Sequence, residues 1–160
     1  FEGLDRRTQH LGSRELGDGG RVEVVDDYGH HPSEIELTLR ALRESFDPRR
    51  IICVFQPHRY SRTAALWREF GDSFAGADQV VLTDVYRAGE TPRPGVTGKL
   101  LVDAVLDHDP STPVAYLPKL EDVAGWLASR LRPGDLCLTL GAGDLTGIPD
   151  VVLAELRGRL

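Results

Sequence analysis

Methionine is absent from this chain, which begins at Phe1. A natural chain ordinarily opens on methionine, so a piece of a longer protein or a processed product is expected. Cysteine is almost absent: Cys53 and Cys137 each lie inside an apolar, strand-like run. No C-x-x-C spacing exists, which excludes a zinc site of that kind. Isolated thiols in apolar runs are expected to be buried and free, in a reducing compartment. Long hydrophobic runs are missing as well. None approaches the roughly 18 residues of a membrane span, and no basic start before an apolar run marks a secretory leader. Positive charge is in deficit, with a formal net charge of −6, which argues against general nucleic-acid or membrane binding. No G-x-x-x-x-G-K-[ST] phosphate loop occurs. Internal repeats, low-complexity tracts and domain linkers are also lacking.

What remains is one domain's worth of chain, 160 residues, enough for a sizeable core. It is organised around Val24-Val25-Asp26-Asp27-Tyr28-Gly29-His30-His31-Pro32-Ser33-Glu34. Two β-branched residues end a strand, a polar turn follows, and Pro32 opens a helix, where its missing N–H has no partner to lose. Ile35, Leu39, Leu42 and Phe46 then recur at the spacing of a buried helical stripe. The turn thus joins the carboxyl end of a strand to the amino end of a helix. Open α/β sheets place ligands there, and the helix dipole favours an anion.

In order, the chain predicts an opening hairpin, Arg6 to Leu16 and Arg21 to Asp26, around the turn chemistry of Gly17-Asp18-Gly19-Gly20. The Pro32 helix ends near Asp47-Pro48. Ile51-Ile52-Cys53-Val54-Phe55 is a continuous apolar run, as in a parallel strand covered on both faces. A helix with Leu66, Phe70 and Phe74 on one face follows, then a strand from Gln79 to Val85. After a long loop from Tyr86 to Gly95 comes a helix bearing Leu101, Ala104 and Val105, and a short strand from Pro113 to Leu117. Leu120, Val123, Leu127 and Leu131 mark another helix. Asp135 to Leu140 is the last strand, and Gly141-Ala142-Gly143-Asp144 opens the final helix. Strands alternating with helices after a hairpin specify an α/β fold with a Rossmann-like, mainly parallel sheet and helices on both faces.

Right-handed crossovers bring the turns Asp27 to His31, Gln56 to Arg62, Tyr86 to Glu90 and Gly141 to Asp144 to one sheet edge. Arg59 and Arg62, three apart at a helix start beside His58 and Tyr60, can face one ligand, and an Arg fork matches a carboxylate or phosphate. A solvated basic patch is the alternative; the position on the ligand edge favours anion binding. Asp26, Asp27, His30 and His31 include metal-ligand types, but adjacent His side chains point in different directions, so no metal site is expected. A His donating to a ligand, or a structurally satisfied His, fits better. Asp144 is expected to be an N-cap. Gly141 and Gly143 allow a close backbone approach to a phosphate, in a stretch too short for a dinucleotide fingerprint.

Four motifs carry a family resemblance: Asp26-Asp27-Tyr28-Gly29-His30-His31-Pro32, Phe55-Gln56-Pro57-His58-Arg59-Tyr60-Ser61-Arg62-Thr63, Ala88-Gly89-Glu90 and Leu140-Gly141-Ala142-Gly143-Asp144. They resemble the C-terminal, amino-acid-binding domain of the Mur ligases, and the second is most similar to the alanine-adding branch. The resemblance covers almost all of residues 1–160. It implies a fragment of a three-domain cytoplasmic enzyme of peptidoglycan synthesis, using ATP and magnesium, with the metal held mainly by the central domain. The implied partners are L-alanine, ATP and, through the other domains, UDP-N-acetylmuramate. The implied chemistry activates the muramic carboxylate as an acyl phosphate, which the alanine amine attacks. By family match, Tyr28, His30, His58, Arg59 and Arg62 surround alanine, while Arg7 and Asp27 reach the nucleotide. Thr8 departs from the family, which usually has an aromatic there. Two competing readings are a stand-alone small-anion or nucleotide-binding regulatory module, and a metal-dependent phosphoesterase built on Asp27, His30 and His31. The Asp-Tyr-Gly-His-His spacing fits the second poorly.

Overall fold

The structure is a computed structural model that describes residues 9–16 and 20–158. Arg7, Thr8 and most of the Gly17–Gly20 turn lie outside the described residues. The strands are β1 (Gln9–Glu15), β2 (Arg21–Asp27), β3 (Arg50–Phe55), β4 (Gln79–Leu82), β5 (Val114–Tyr116) and β6 (Asp135–Leu140). The helices are α1 (Pro32–Phe46), α2 (Tyr60–Leu66), α3 (Lys99–His108), α4 (Val123–Arg130) and α5 (Ile148–Arg157).

The strands form one sheet in the order β1-β2-β6-β3-β4-β5. Only the β1–β2 pair is antiparallel, as the expected hairpin requires, and the other pairs are parallel. Alternation along the parallel strands divides the core. Val24, Ile52, Val54, Val81 and Cys137 face α4 and α5, whose Val123, Leu127, Val152 and Leu156 cover them. Val25, Ile51, Cys53, Phe55, Val80 and Leu138 face the other way, under Ile35, Leu39 and Leu42 of α1 and Leu101 and Val105 of α3. Burying both faces explains the unbroken apolar runs.

The register fixes the functional edge. Asp27 pairs with Leu140, Leu140 with Phe55, and Phe55 with Leu82. The carboxyl ends of four strands therefore stand in one row. The chain leaves β2 and β3 for the α1–α3 face, whereas it leaves β6, which lies between them, for α5 on the opposite face. That reversal is a topological switch point, the place where doubly wound sheets open a crevice.

Several boundaries differ from the sequence reading, among them a separate 3₁₀ turn, Leu120–Asp122, before α4. The Leu66–Phe74 segment is not one α-helix: after Leu66 it winds into a 3₁₀ helix, Trp67–Asp72. It lies close against α3, where a Cβ on Gly71 would stand 2.7 Å from the Ala104 carbonyl oxygen. The tighter helix still delivers Phe70 and Phe74 to the Phe55 ring, at centroid separations of 5.3 and 5.6 Å. β4 stops at Leu82 rather than Val85. Beyond it the Asp84 carboxylate accepts the N–H groups of Val85 (2.9 Å) and Gly98 (3.1 Å), replacing the ladder with a side-chain hub. The final helix, α5, is preceded by a separate 3₁₀ turn, Asp144–Gly147.

Candidate functional site

The β2–α1 turn is built by its own side chains. Asp27 is buried, and its Oδ1 accepts the Gly29 N–H at 2.7 Å, closing a tight turn. His31 is the N-cap of α1, its Nδ1 accepting the Ser33 N–H at 3.3 Å. Glu34 reaches back to accept the N–H groups of His31 (2.9 Å) and His30 (3.1 Å) through one oxygen, Oε1. This is a capping box with His in the place usually taken by Ser or Thr. The adjacent histidines are thereby separated in function: His31 serves the helix, and His30 lies over the strand ends. Among the described residues no group of three or more His, Cys, Asp or Glu could hold a metal ion.

The β3–α2 turn supplies the rest. His58 forms an isolated parallel bridge with Tyr86, extending the β3–β4 pairing past the strands. The Tyr86 N–H donates to Pro57 O and the Arg59 N–H to Tyr86 O, both at 2.8 Å. Arg59, the N-cap of α2, is held at φ 70° and ψ 139°, a conformation unfavourable for any residue but glycine. Its carbonyl is fixed by the Thr63 N–H at 3.1 Å and the Thr63 hydroxyl at 2.8 Å. Ala88, in the facing turn, also has positive φ, at 52°. Strained backbone thus occurs on both turns that frame the edge.

The side chains meet in a row of rings above the row of strand ends. Tyr28 and His30 are edge-on at 5.9 Å, His30 and His58 tilted at 5.7 Å, and His58 and Tyr86 stacked at 5.5 Å with an 18° interplanar angle. Arg62 donates to His58 Nδ1 at 3.2 Å. Burial, followed by the charges of Arg62, His30 and Arg59, holds the His58 pKa below its ordinary 6.5, while Glu90 pulls it up. Glu90 receives the Ser61 N–H at 3.0 Å and the Ser61 hydroxyl at 2.5 Å. These hydrogen bonds from Ser61, aided by Arg59, lower its pKa. On the far side, Gln56 Nε2 donates to Asp144 Oδ1 at 2.5 Å. Asp144 is therefore not an N-cap: Gly143 holds that position, with no side-chain cap, and the carboxylate ties the β6 turn to the end of β3.

The structure brings Tyr28, His30, His58 and Arg62 into one contiguous cluster, with Arg59 exposed beside it and Asp27 beneath the turn. Tyr86 and Glu90 complete the cluster and were not assigned from sequence. Both lie in the turn after β4, but nothing in their residue types announced that a backbone bridge would stack Tyr86 on His58. The site is an open edge. A cavity of about 650 Å³ lies near the start of α1, lined by His31, Ser33, Glu36, Arg68, Asp107 and His108 among others, and none of the five cluster residues assigned from sequence borders it.

A family model described as "Mur ligase, glutamate ligase domain" matches residues 6–143. The chain belongs to the Mur ligases. Among relatives in this family, the UDP-N-acetylmuramate–L-alanine ligase of Desulforamulus reducens is 49% identical over 145 residues, covering 91% of this chain and 30% of that protein. The enzyme of the same name from Rubrobacter xylanophilus is 48% identical over 157 residues, covering 98% of this chain and 34% of that protein. The Mur ligase chain thus spans about a third of the length of these relatives. Solved structures share the fold. The UDP-N-acetylmuramate-alanine ligase of Thermotoga maritima superposes with a TM-score of 0.76 at 24% identity, over 97% of this chain and 30% of that one. A domain assigned to a UDP-N-acetylmuramate:L-alanyl-γ-D-glutamyl-diaminopimelate ligase of Haemophilus ducreyi gives 0.67 at 24% identity, over 94% of this chain and 99% of that one. Both sheet faces of this Mur ligase domain are covered within the chain, so it is expected to fold by itself.

Proposed function

We propose that this domain supplies the amino-acid site of an ATP-dependent ligase that joins L-alanine to UDP-N-acetylmuramate through an acyl phosphate, in cytoplasmic peptidoglycan synthesis. The observation that carries the reading is the placement of Tyr28, His30, His58 and Arg62 in one cluster, with Arg59 alongside, on the switch-point edge. A free amino acid offers a carboxylate, a side chain and an amine. Arg59 and Arg62 suit the carboxylate, which a guanidinium fork can grip at two points. The rings of Tyr28, His30 and His58 form an open wall beside them rather than a deep pocket. Fixing the amine's orientation against the second substrate converts an encounter into a near-unimolecular step.

ATP supplies the energy of carboxylate activation when bound to the intact enzyme. On this chain the proposed contacts to it are Arg7 and Asp27. Asp27 is buried with one oxygen committed to Gly29, so it shapes the turn in addition to any nucleotide role. The described residues offer no cluster for magnesium, in keeping with a metal held mainly by the central domain.

The test is amide formation. The intact protein should condense L-alanine with UDP-N-acetylmuramate in the presence of ATP and magnesium, and residues 1–160 alone should not. The encoding gene should carry a G-x-x-G-K-[ST]-type loop upstream. Its absence, with no alanine-dependent product, would favour a self-contained anion-binding module instead.

A further inference from the structure

The two histidines facing each other in the cluster are locked into opposite hydrogen-bonding roles. His58 Nδ1 lies 3.2 Å from Arg62 Nη1. Arg can only donate, so His58 Nδ1 must accept, and the proton of the neutral ring sits on Nε2. His58 therefore presents a donor at the edge. His30 is the reverse. Its Nδ1 faces the Tyr28 carbonyl oxygen at 3.3 Å and Glu34 Oε1 at 4.0 Å. Both are acceptors, so Nδ1 carries the proton and Nε2 holds a lone pair. The orienting pattern, with an acceptor behind one ring nitrogen and a free lone pair on the other, is that of a histidine poised as a base.

We propose that His30 Nε2 takes the proton from the substrate's ammonium group, making the amine nucleophilic, while His58 Nε2–H and the Arg pair hold the carboxylate. The inference rests on the amino-acid site proposed above. An ammonium has no lone pair and cannot attack, so a proton must leave before the C–N bond forms. The other groups around His30 are unsuited to accept it. Arg59 and Arg62 carry donors and no acceptor. His58 is a donor. Glu34 Oε1 already receives two backbone N–H groups, the Glu90 carboxylate is engaged by Ser61, and Asp27 is buried under its turn. Tyr28 and Tyr86 are phenols at the two ends of the ring row. The His30 side chain, by contrast, keeps 26% of its surface exposed.

The step balances. His30 accepts one proton from the ammonium. The neutral amine attacks the acyl carbon, the C–N bond forms, the C–O bond to phosphate breaks, and the second amine proton departs with the phosphate. His30 then releases its proton to solvent.

The experiment uses the intact ligase and two nucleophiles, alanine and hydroxylamine. Hydroxylamine is neutral at pH 7 and needs no base, and it traps an acyl phosphate as a hydroxamate. With His30→Gln, alanine turnover at neutral pH should fall on the order of 10²–10⁴-fold. The Michaelis constant for alanine should change little, and hydroxamate formation should persist. The variant's alanine rate should climb as pH approaches the amine's own pKa. His30→Asn, which keeps a donor toward the Tyr28 carbonyl, should behave the same way and guards against a collapsed turn. Equal loss with both nucleophiles, or a raised Michaelis constant at unchanged turnover, would overturn the proposal. If the unmutated ligase makes no alanine amide, the amino-acid site itself is wrong and this inference falls with it. If it makes the amide and both His30 variants keep pace, only the base assignment fails.

Discussion

Arg50 and Asp135 clasp the starts of β3 and β6, Nε to Oδ1 at 2.9 Å and Nη2 to Oδ2 at 2.6 Å. The pair sits in register, at the opposite end of the sheet from the site. Asp135 is 2% exposed and also accepts the Arg132 N–H at 2.8 Å. Its hydrogen bond raises the pKa of the Arg50 guanidinium above the ordinary value.

Truncating Arg50 leaves a buried carboxylate short of its charged partner. Arg50→Ala should destabilise the domain by about 1.5–3 kcal/mol, lowering Tm by about 3–12 °C. At temperatures where the intact ligase stays folded, its alanine kinetics should be unchanged, because the clasp is remote from the edge. An unaltered Tm would mean that water replaces Arg50 at no cost.

Much of this architecture was legible because burial on both sheet faces writes itself as apolar runs. Ile51–Phe55 could hardly be anything but a central parallel strand, and the Pro32 helix announced its start and its stripe. The strand order was not legible: β6 enters between β2 and β3, and no local pattern reports that insertion. Local signals also misled where tertiary contacts took over. Leu66, Phe70 and Phe74 have helical spacing, yet close approach to α3 winds part of that segment tighter. Asp144 has the residue type of a cap and instead serves Gln56, which lies 88 positions away in sequence. In the site, the motifs pointed to Tyr28, His30, His58, Arg59 and Arg62 but not to Tyr86, whose place comes from a backbone bridge. The strain at Arg59 is equally invisible in a residue name.

Cys53 and Cys137 should be unreactive until the domain unfolds. Both are fully buried and free. They lie on neighbouring strands but face opposite sides of the sheet, so they cannot pair. Burial raises both thiol pKa values, that of Cys137 to about 12, which removes the reactive thiolate. Native protein should give no thiol-reagent signal on the timescale in which denatured protein gives two equivalents. Rapid labelling of either thiol without unfolding would contradict the packing.

Acidification should weaken the domain through His58. Its folded pKa lies below the unfolded value near 6.5, because burial and then Arg62 disfavour the imidazolium. As pH falls, the unfolded chain takes up this proton first. The contribution is therefore nil above about pH 7 and becomes destabilising as pH drops below 6.5 toward the folded value. Thermal melts across that window should show a fall in Tm that is smaller in His58→Gln. Glu90 acts in a separate window, below its ordinary 4.5, where protonation undoes the Ser61 hydrogen bonds. An identical slope in wild type and His58→Gln would show that the ring titrates as it does in the unfolded chain.

Arg59 combines a strained backbone with its proposed grip on the alanine carboxylate, and the two can be separated. Its backbone is held at φ 70° by hydrogen bonds to Tyr86 and Thr63, at a cost of about 1–3 kcal/mol. Alanine in its place keeps that cost, because any Cβ does, whereas glycine relieves it. Arg59→Gly should therefore be more stable than Arg59→Ala by about 1 kcal/mol, a Tm difference of about 2–4 °C. Both should nonetheless be equally poor ligases in the intact enzyme. Losing one desolvated charged contact to the alanine carboxylate is worth about 2–5 kcal/mol, so kcat/KM for alanine should drop by tens to thousands of fold, with KM raised and turnover lowered. The Michaelis constant for ATP should move far less. Arg59→Lys should recover only part of the loss, since it restores the charge without the fork. If both truncations spared alanine and weakened ATP instead, Arg59 would belong to the nucleotide, and the amino-acid carboxylate would have to be gripped by Arg62 and His58 alone.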